Sequence, residues 1–215
     1  MRILFTSSPG WGHVHPMVPL ANAFRQRGDD VLWATGSDAA VRLEREGITT
    51  ACTGIGEREG MAEFFQQFPE AHDVPPPLKS DFMFPRLFGT IRAASMLSDL
   101  APVARAWAPD LIVSDTAEFA GPIAAAMLGV PSVSHAFGGL LPEPRVAAAG
   151  EAVETLWKEQ GLEPRAYGGM YDHLYLDIYP PSRQPAARPH IPATQPLRPG
   201  AFGTAGEDVL RAWIT

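Results

Sequence analysis

The chain has 215 residues, with 17 Lys and Arg against 24 Asp and Glu, a formal charge of -7 and a pI near 5.3. That length suits one well-buried α/β domain and is short for two, and the acidic balance offers no basic face for nucleic acid. The lone Cys52 allows no internal disulfide, and no Cys or His cluster has structural-zinc spacing, so no metal is expected and a cytoplasmic location is. The N-terminus lacks a secretory h-region, and the apolar segment 117–137 is broken by Glu118, Pro122 and Pro131, which predicts a helix and a strand and not a membrane span.

Short apolar runs alternate with helical patterns from the first residues onward. Arg2 to Ser7 predicts a strand, and Met17, Leu20, Ala21 and Phe24 recur at helical spacing after Pro16 until Gly28. Val31 to Thr35 is a second strand. A helix capped by Ser37 and stopped by Gly47 leads to a third strand, Ile48 to Thr53, on which Cys52 is expected as a small buried filler. Alternating charge over 42–46 marks a solvated face of that helix. From Gly54 to Phe84 the chain is read as a long loop with short helical pieces, interrupted by three consecutive prolines at 75–77.

A helix from Pro85 to Trp107 follows, with Leu87, Ile91, Ala94 and Leu97 as its apolar stripe. The strand Leu111-Ile112-Val113 runs out at Asp115, a helix spans Ala117 to Leu128, and Pro131 to His135 is a fifth strand. A helix over 145–160 and a turn at 168–171 come next. The proline-dense stretch past Tyr179 reads as an extended border and not as further elements. The βαβαβ pattern and the second βαβ unit define the fold class: α/β, a Rossmann-like parallel sheet with helices on both faces.

Gly10-Trp11-Gly12-His13-Val14-His15-Pro16 directly follows the first strand, at the sheet edge where open α/β folds bind ligands. It makes a poor dinucleotide fingerprint, since no third glycine and no acidic end to strand two are present, and no P-loop follows. A histidine there can serve as a general base, its ordinary pKa near ~6.5 leaving much of it neutral at physiological pH. It can equally cap the helix start or fill the turn. Asp115 can hold such a histidine through Nδ1 or act as the N-cap of the following helix, and the two roles can coexist. His15 reads as a helix-start or pocket-wall residue.

The string GWGHVHPMVPLANAF resembles the N-terminal motif of GT-B nucleotide-sugar glycosyltransferases, in particular bacterial enzymes that attach deoxysugars to polyketides and other natural products. Pro109 to Pro131, PDLIVSDTAEFAGPIAAAMLGVP, is similar to the strand-Asp-helix segment of the same family. The resemblance implies half of a GT-B architecture, with an acceptor-binding domain over 1–200 and a linker at 201–215. It also implies an absent C-terminal domain that would hold a TDP- or UDP-sugar, with no other cofactor. It implies inverting transfer with His13 as base and Asp115 as its partner. Ser8 and the amides of Trp11 and Gly12 would lie near the donor diphosphate, or merely form a tight turn.

The aromatic and sulfur-rich side chains Met61, Phe64, Phe65, Phe82, Phe84, Phe88, Phe137, Leu140, Met170 and Tyr171 are candidates for a hydrophobic acceptor site, each with ordinary core as its alternative. A nucleotide-sugar epimerase on the same scaffold and a stand-alone binding or auxiliary module remain rival readings. Self-association, for example as a homodimer, stays open.

Overall fold

The computed structural model describes residues 1–185 and 187–200; the expected linker at 201–215 lies outside them. Seven parallel strands form one sheet in the order β3-β2-β1-β4-β5-β6-β7. They are β1 (Arg2–Thr6), β2 (Asp30–Thr35), β3 (Thr49–Cys52), β4 (Leu111–Asp115), β5 (Ser132–His135), β6 (Leu174–Asp177) and β7 (Thr194–Pro196). The helices are α1 (Trp11–Val14), α2 (Val18–Gln26), α3 (Ser37–Arg45), α4 (Glu57–Gln67), α5 (Pro76–Phe84), α6 (Ala93–Trp107), α7 (Ala120–Leu128), α8 (Glu143–Ala152) and α9 (Glu154–Glu159).

Side-chain alternation on the central strand divides the core. Ile3 and Phe5 meet Val14, Val18, Trp33, Leu43 and Val113 beneath α2 and α3, while Leu4 meets Leu97, Leu100, Ile112 and Ile123 beneath α6 and α7. Both faces of the sheet are thereby covered, as an all-parallel sheet requires. Gly129 ends α7 in the left-handed region at φ 66°, an inexpensive conformation only for a residue without Cβ. Winding runs outward from β1 to β3 on one side and from β4 to β7 on the other. The loops after β1 and β4 therefore diverge and leave a crevice at their carboxyl ends.

Several expectations need correction. The segment 54–84 is not mainly loop, because Met61, Phe64, Phe65 and Phe68 fall at helical spacing on or just past α4, and Pro76 starts α5 where its missing N–H costs nothing. The long helix begins as a π-helical stretch, Pro85–Arg92, before α6. Pro85 cannot donate to the preceding turn, and the wider winding turns Ala94 outward while Leu87, Ile91 and Leu97 stay buried. The N-cap of α3 is Gly36, with no capping side chain, so Ser37 does not cap it. The helix expected over 145–160 is α8 and α9, separated at Val153. Cys52 is exposed, since β3 is the sheet edge and its end faces solvent. Finally, β7 extends the sheet within the stretch past Tyr179 that was expected to contain no further elements, next to β6, a strand that was not expected either.

Candidate active site

The turn after β1 carries Ser7 to Gly10 into α1, whose first amide bonds run from His13 and Val14 to the Gly10 carbonyl at 2.9 and 3.2 Å. His13 is thus fixed on a one-turn helix directly above the switch point. Its Nδ1 lies 3.1 Å from Asp115 Oδ1 at the end of β4. A carboxylate can only accept, so Nδ1 carries the hydrogen and Nε2 is left as the acceptor.

Asp115 is fully buried and held rigidly. Its Oδ1 also accepts from the Ala117 amide at 2.6 Å, and Oδ2 accepts from the Ser8 amide at 2.8 Å. The one carboxylate thus meets the imidazole and holds the turn ahead of α7, but it is not that helix's N-cap: α7 starts at Ala120 with Phe119 at the cap and no capping side chain. Ser8 is buried, its amide committed to Asp115 and its Oγ 3.4 Å from the Ala117 carbonyl. Gly12 is exposed, and a Cβ built there would meet nothing within 4 Å. Trp11 is half-buried between the His15 ring at 4.3 Å and the Arg42 guanidinium at 4.4 Å. His15 faces that stack, and burial together with Arg42 lowers its pKa.

The His13 ring stands in an apolar cleft of about 370 Å³. Phe137 and Phe88 lie 4.6 and 5.4 Å from it by ring centroids, with Phe84, Leu87 and Leu141 beyond and Lys79, Ser80 and Arg145 at the rim. Of the ten acceptor candidates, Phe84, Phe88 and Phe137 line this cleft. Met61, Phe64, Phe65 and Phe82 belong instead to a separate cluster that packs α4 and α5 onto Leu87 and Ile91. Met170 and Tyr171 are buried in the main core, and Leu140 is turned aside with its amide on Gln184 Oε1, leaving its neighbour Leu141 in the cleft. Among the described residues no group of three or more His, Cys, Asp or Glu could hold a metal ion, and no helix is long and apolar enough to cross a membrane.

Glu118 escaped the sequence reading, where it marked only a break in an apolar run. It is buried beneath the pair, and Thr6 Oγ1 donates to its Oε2 at 2.6 Å while lying 2.9 Å from Ser114 Oγ. The Ala120 and Gly121 amides donate to its two oxygens at 2.6 and 2.9 Å. Burial, reinforced by the Asp115 charge, raises its pKa from 4.5 to about 7 despite these donors. The network ties the ends of β1 and β4 to the start of α7. The available signal was a lone carboxylate three residues after Asp115 inside an otherwise apolar segment. His135 also ends its strand beside Asp115; burial lowers its pKa, and its Nδ1 lies 2.7 Å from the Ala136 carbonyl.

The Rossmann-like parallel sheet, which here carries a histidine-carboxylate pair at its switch point, matches the N-terminal half of GT-B glycosyltransferases. The SnogD glycosyltransferase of Streptomyces nogalater matches with a TM-score of 0.70 and 28% identity, over 100% of this chain and 55% of that one. SsfS6 of Streptomyces sp. SF2575, in a complex with thymidine diphosphate, shares the fold with a TM-score of 0.73 at 23% identity, over 100% and 57% of the two chains. The elloramycin glycosyltransferase ElmGT of Streptomyces olivaceus is 33% identical over 199 residues, 85% of this chain and 47% of the relative. Residues 22–149 match the family model "Erythromycin biosynthesis protein CIII-like, N-terminal domain". The chain belongs to that family, and it spans about half the length of the curated relatives it matches.

Proposed function

We propose that this chain is the acceptor-binding half of an enzyme that transfers a sugar, a deoxysugar in particular, from a TDP- or UDP-sugar to a hydroxyl of a hydrophobic natural product with inversion. The observation that carries the reading is the 3.1 Å contact between His13, which lines an apolar cleft, and the fully buried Asp115. His13 Nε2 takes the acceptor's hydroxyl proton as the hydroxyl oxygen bonds to the anomeric carbon, and the bond from that carbon to the nucleoside diphosphate breaks on the opposite face. Asp115 keeps the imidazole in its productive tautomer and stabilises the imidazolium once the proton arrives. Phe84, Phe88, Phe137 and Leu141 bury the acceptor's apolar body and exclude water from the reacting face.

The nucleotide sugar is held chiefly by a second domain. Its diphosphate approaches the first turn of α1, and the open space over Gly12 supports this placement. The decisive experiment is sugar transfer to a polycyclic phenol or alcohol by an enzyme containing this half and a GT-B donor domain. His13→Ala is expected to lower kcat by roughly two to four orders of magnitude with little change in acceptor binding. Turnover within about threefold of wild type would remove His13 as the base.

A further inference from the structure

Phe88 lines two cavities, and only one of them is the cleft beside His13. The other, of about 20 Å³, is a water-sized space between the turn after β1 and the π-helical stretch, with Ser8, Thr53, Arg92 and Glu118 among its lining residues. We propose that this cavity, largely apolar but with buried donors in its wall, is an inner subsite of the acceptor cleft, which takes an uncharged, hydrogen-bond-accepting oxygen, such as a ring carbonyl, from the same molecule that presents its hydroxyl to His13. The proposal rests on the reading of the cleft as the acceptor site.

Unpaired donors carry the assignment. Thr53, 2% exposed, and Arg92, 6% exposed, keep Oγ1 and Nε buried with no hydrogen-bond partner among the described residues. A buried donor without a partner carries a desolvation cost, one tolerated where a ligand atom will meet it. Charge then selects the ligand class. The Arg92 guanidinium is already neutralised through Nη2, 2.9 Å from Glu57 Oε2, and the Glu118 carboxyl lines the same space. A carboxylate or phosphate would meet Glu118 without a spare positive charge to offset it, whereas a neutral carbonyl needs only the donors.

Phe88 links the two spaces. Its ring lies 5.4 Å from the His13 ring and 5.4 Å from the Arg92 guanidinium, so an acceptor ring packed on it can be gripped at two points. Such a two-point grip determines which hydroxyl of a polyhydroxylated acceptor meets the base.

The test compares 1-tetralone with tetralin, which lacks only the ketone oxygen, by ligand-observed NMR titration of the 215-residue chain. The chain is expected to bind 1-tetralone about tenfold or more tightly than tetralin, as one charge-assisted hydrogen bond implies. Thr53→Val and Arg92→Met should each cut that preference to about threefold or less with tetralin affinity unchanged, and His13→Ala should leave it intact. Arg92→Met also breaks the pair with Glu57, so the nearly isosteric Thr53→Val decides the matter if Arg92→Met does not fold. Equal binding of the two probes by the wild-type chain, the outcome expected of a cavity that holds only water, overturns the subsite, as does a preference that survives both variants. If neither probe binds at all, the acceptor-cleft reading falls together with it.

Discussion

At the scale of single residues the site is two carboxyls with opposite environments. Asp115 receives backbone amides on both oxygens and serves the imidazole, whereas Glu118 is held away from solvent with an elevated pKa. Replacing Asp115 with Asn in a two-domain enzyme is expected to cost less turnover than His13→Ala. The two losses should be strongly non-additive in a double-mutant cycle, since the carboxylate acts through the imidazole. Additive losses would mean that the 3.1 Å contact does no catalytic work. Glu118 predicts a pH effect on stability instead. Its folded pKa of about 7 lies above its ordinary 4.5, so the folded state holds the proton more tightly than the unfolded chain. The stabilisation is therefore complete below pH 4.5 and is lost as pH rises through about 7, on the order of 3 kcal/mol across that window. Denaturant unfolding at pH 5 and pH 8 should show the fall, and Glu118→Gln should flatten it. An equally steep profile in the variant would place the titration elsewhere.

At the scale of elements, α7 approaches the sheet more closely than a side chain at Gly121 would permit. A Cβ there would overlap Ser114 Oγ and come within 2.5 Å of Thr6 Oγ1 and 2.9 Å of Glu118 Oε2. Gly121→Ala is expected to destabilise the fold by ~1–3 kcal/mol, and thermal unfolding with an unchanged midpoint would refute the close packing. The same elements mark the limit of what the sequence discloses. His13 and Asp115 were legible because each stands at or just past the end of a contiguous apolar strand, and those strands, β1 and β4, are neighbours on the two sides of the switch point. The apolar wall of the cleft was not, because Phe64 and Phe88 are chemically alike, and only the winding of 85–92 decides which ring reaches the cleft. Glu118 was hidden because its burial is made acceptable by donors from β1 and the start of α7, and the strand donor is a partner no local pattern specifies. β7 had no signal at all, since Thr194-Gln195-Pro196 becomes a strand only by pairing with β6.

At the scale of the whole molecule, the sheet closes its own core on both faces, so the chain is expected to fold without a second domain. Alone it should bind a small apolar acceptor weakly, bind a nucleoside diphosphate poorly and transfer no sugar, because most donor contacts and the exclusion of water need the opposing half. Calorimetry with thymidine diphosphate and a transfer assay on the purified chain test this; tight nucleotide binding or turnover would show a complete catalyst in 215 residues.

The outer margin of the sheet bears on how such a chain behaves when crowded. Ala193 and Leu197 bond inward to β6, so by alternation Thr194 and Pro196 turn their backbones outward. Pro196 has no hydrogen to offer there, and its carbonyl is taken by the Gln195 side-chain amide at 3.0 Å. Among the described residues, a strand arriving at this margin finds one amide missing and one carbonyl already engaged, which disfavours edge-to-edge pairing between copies.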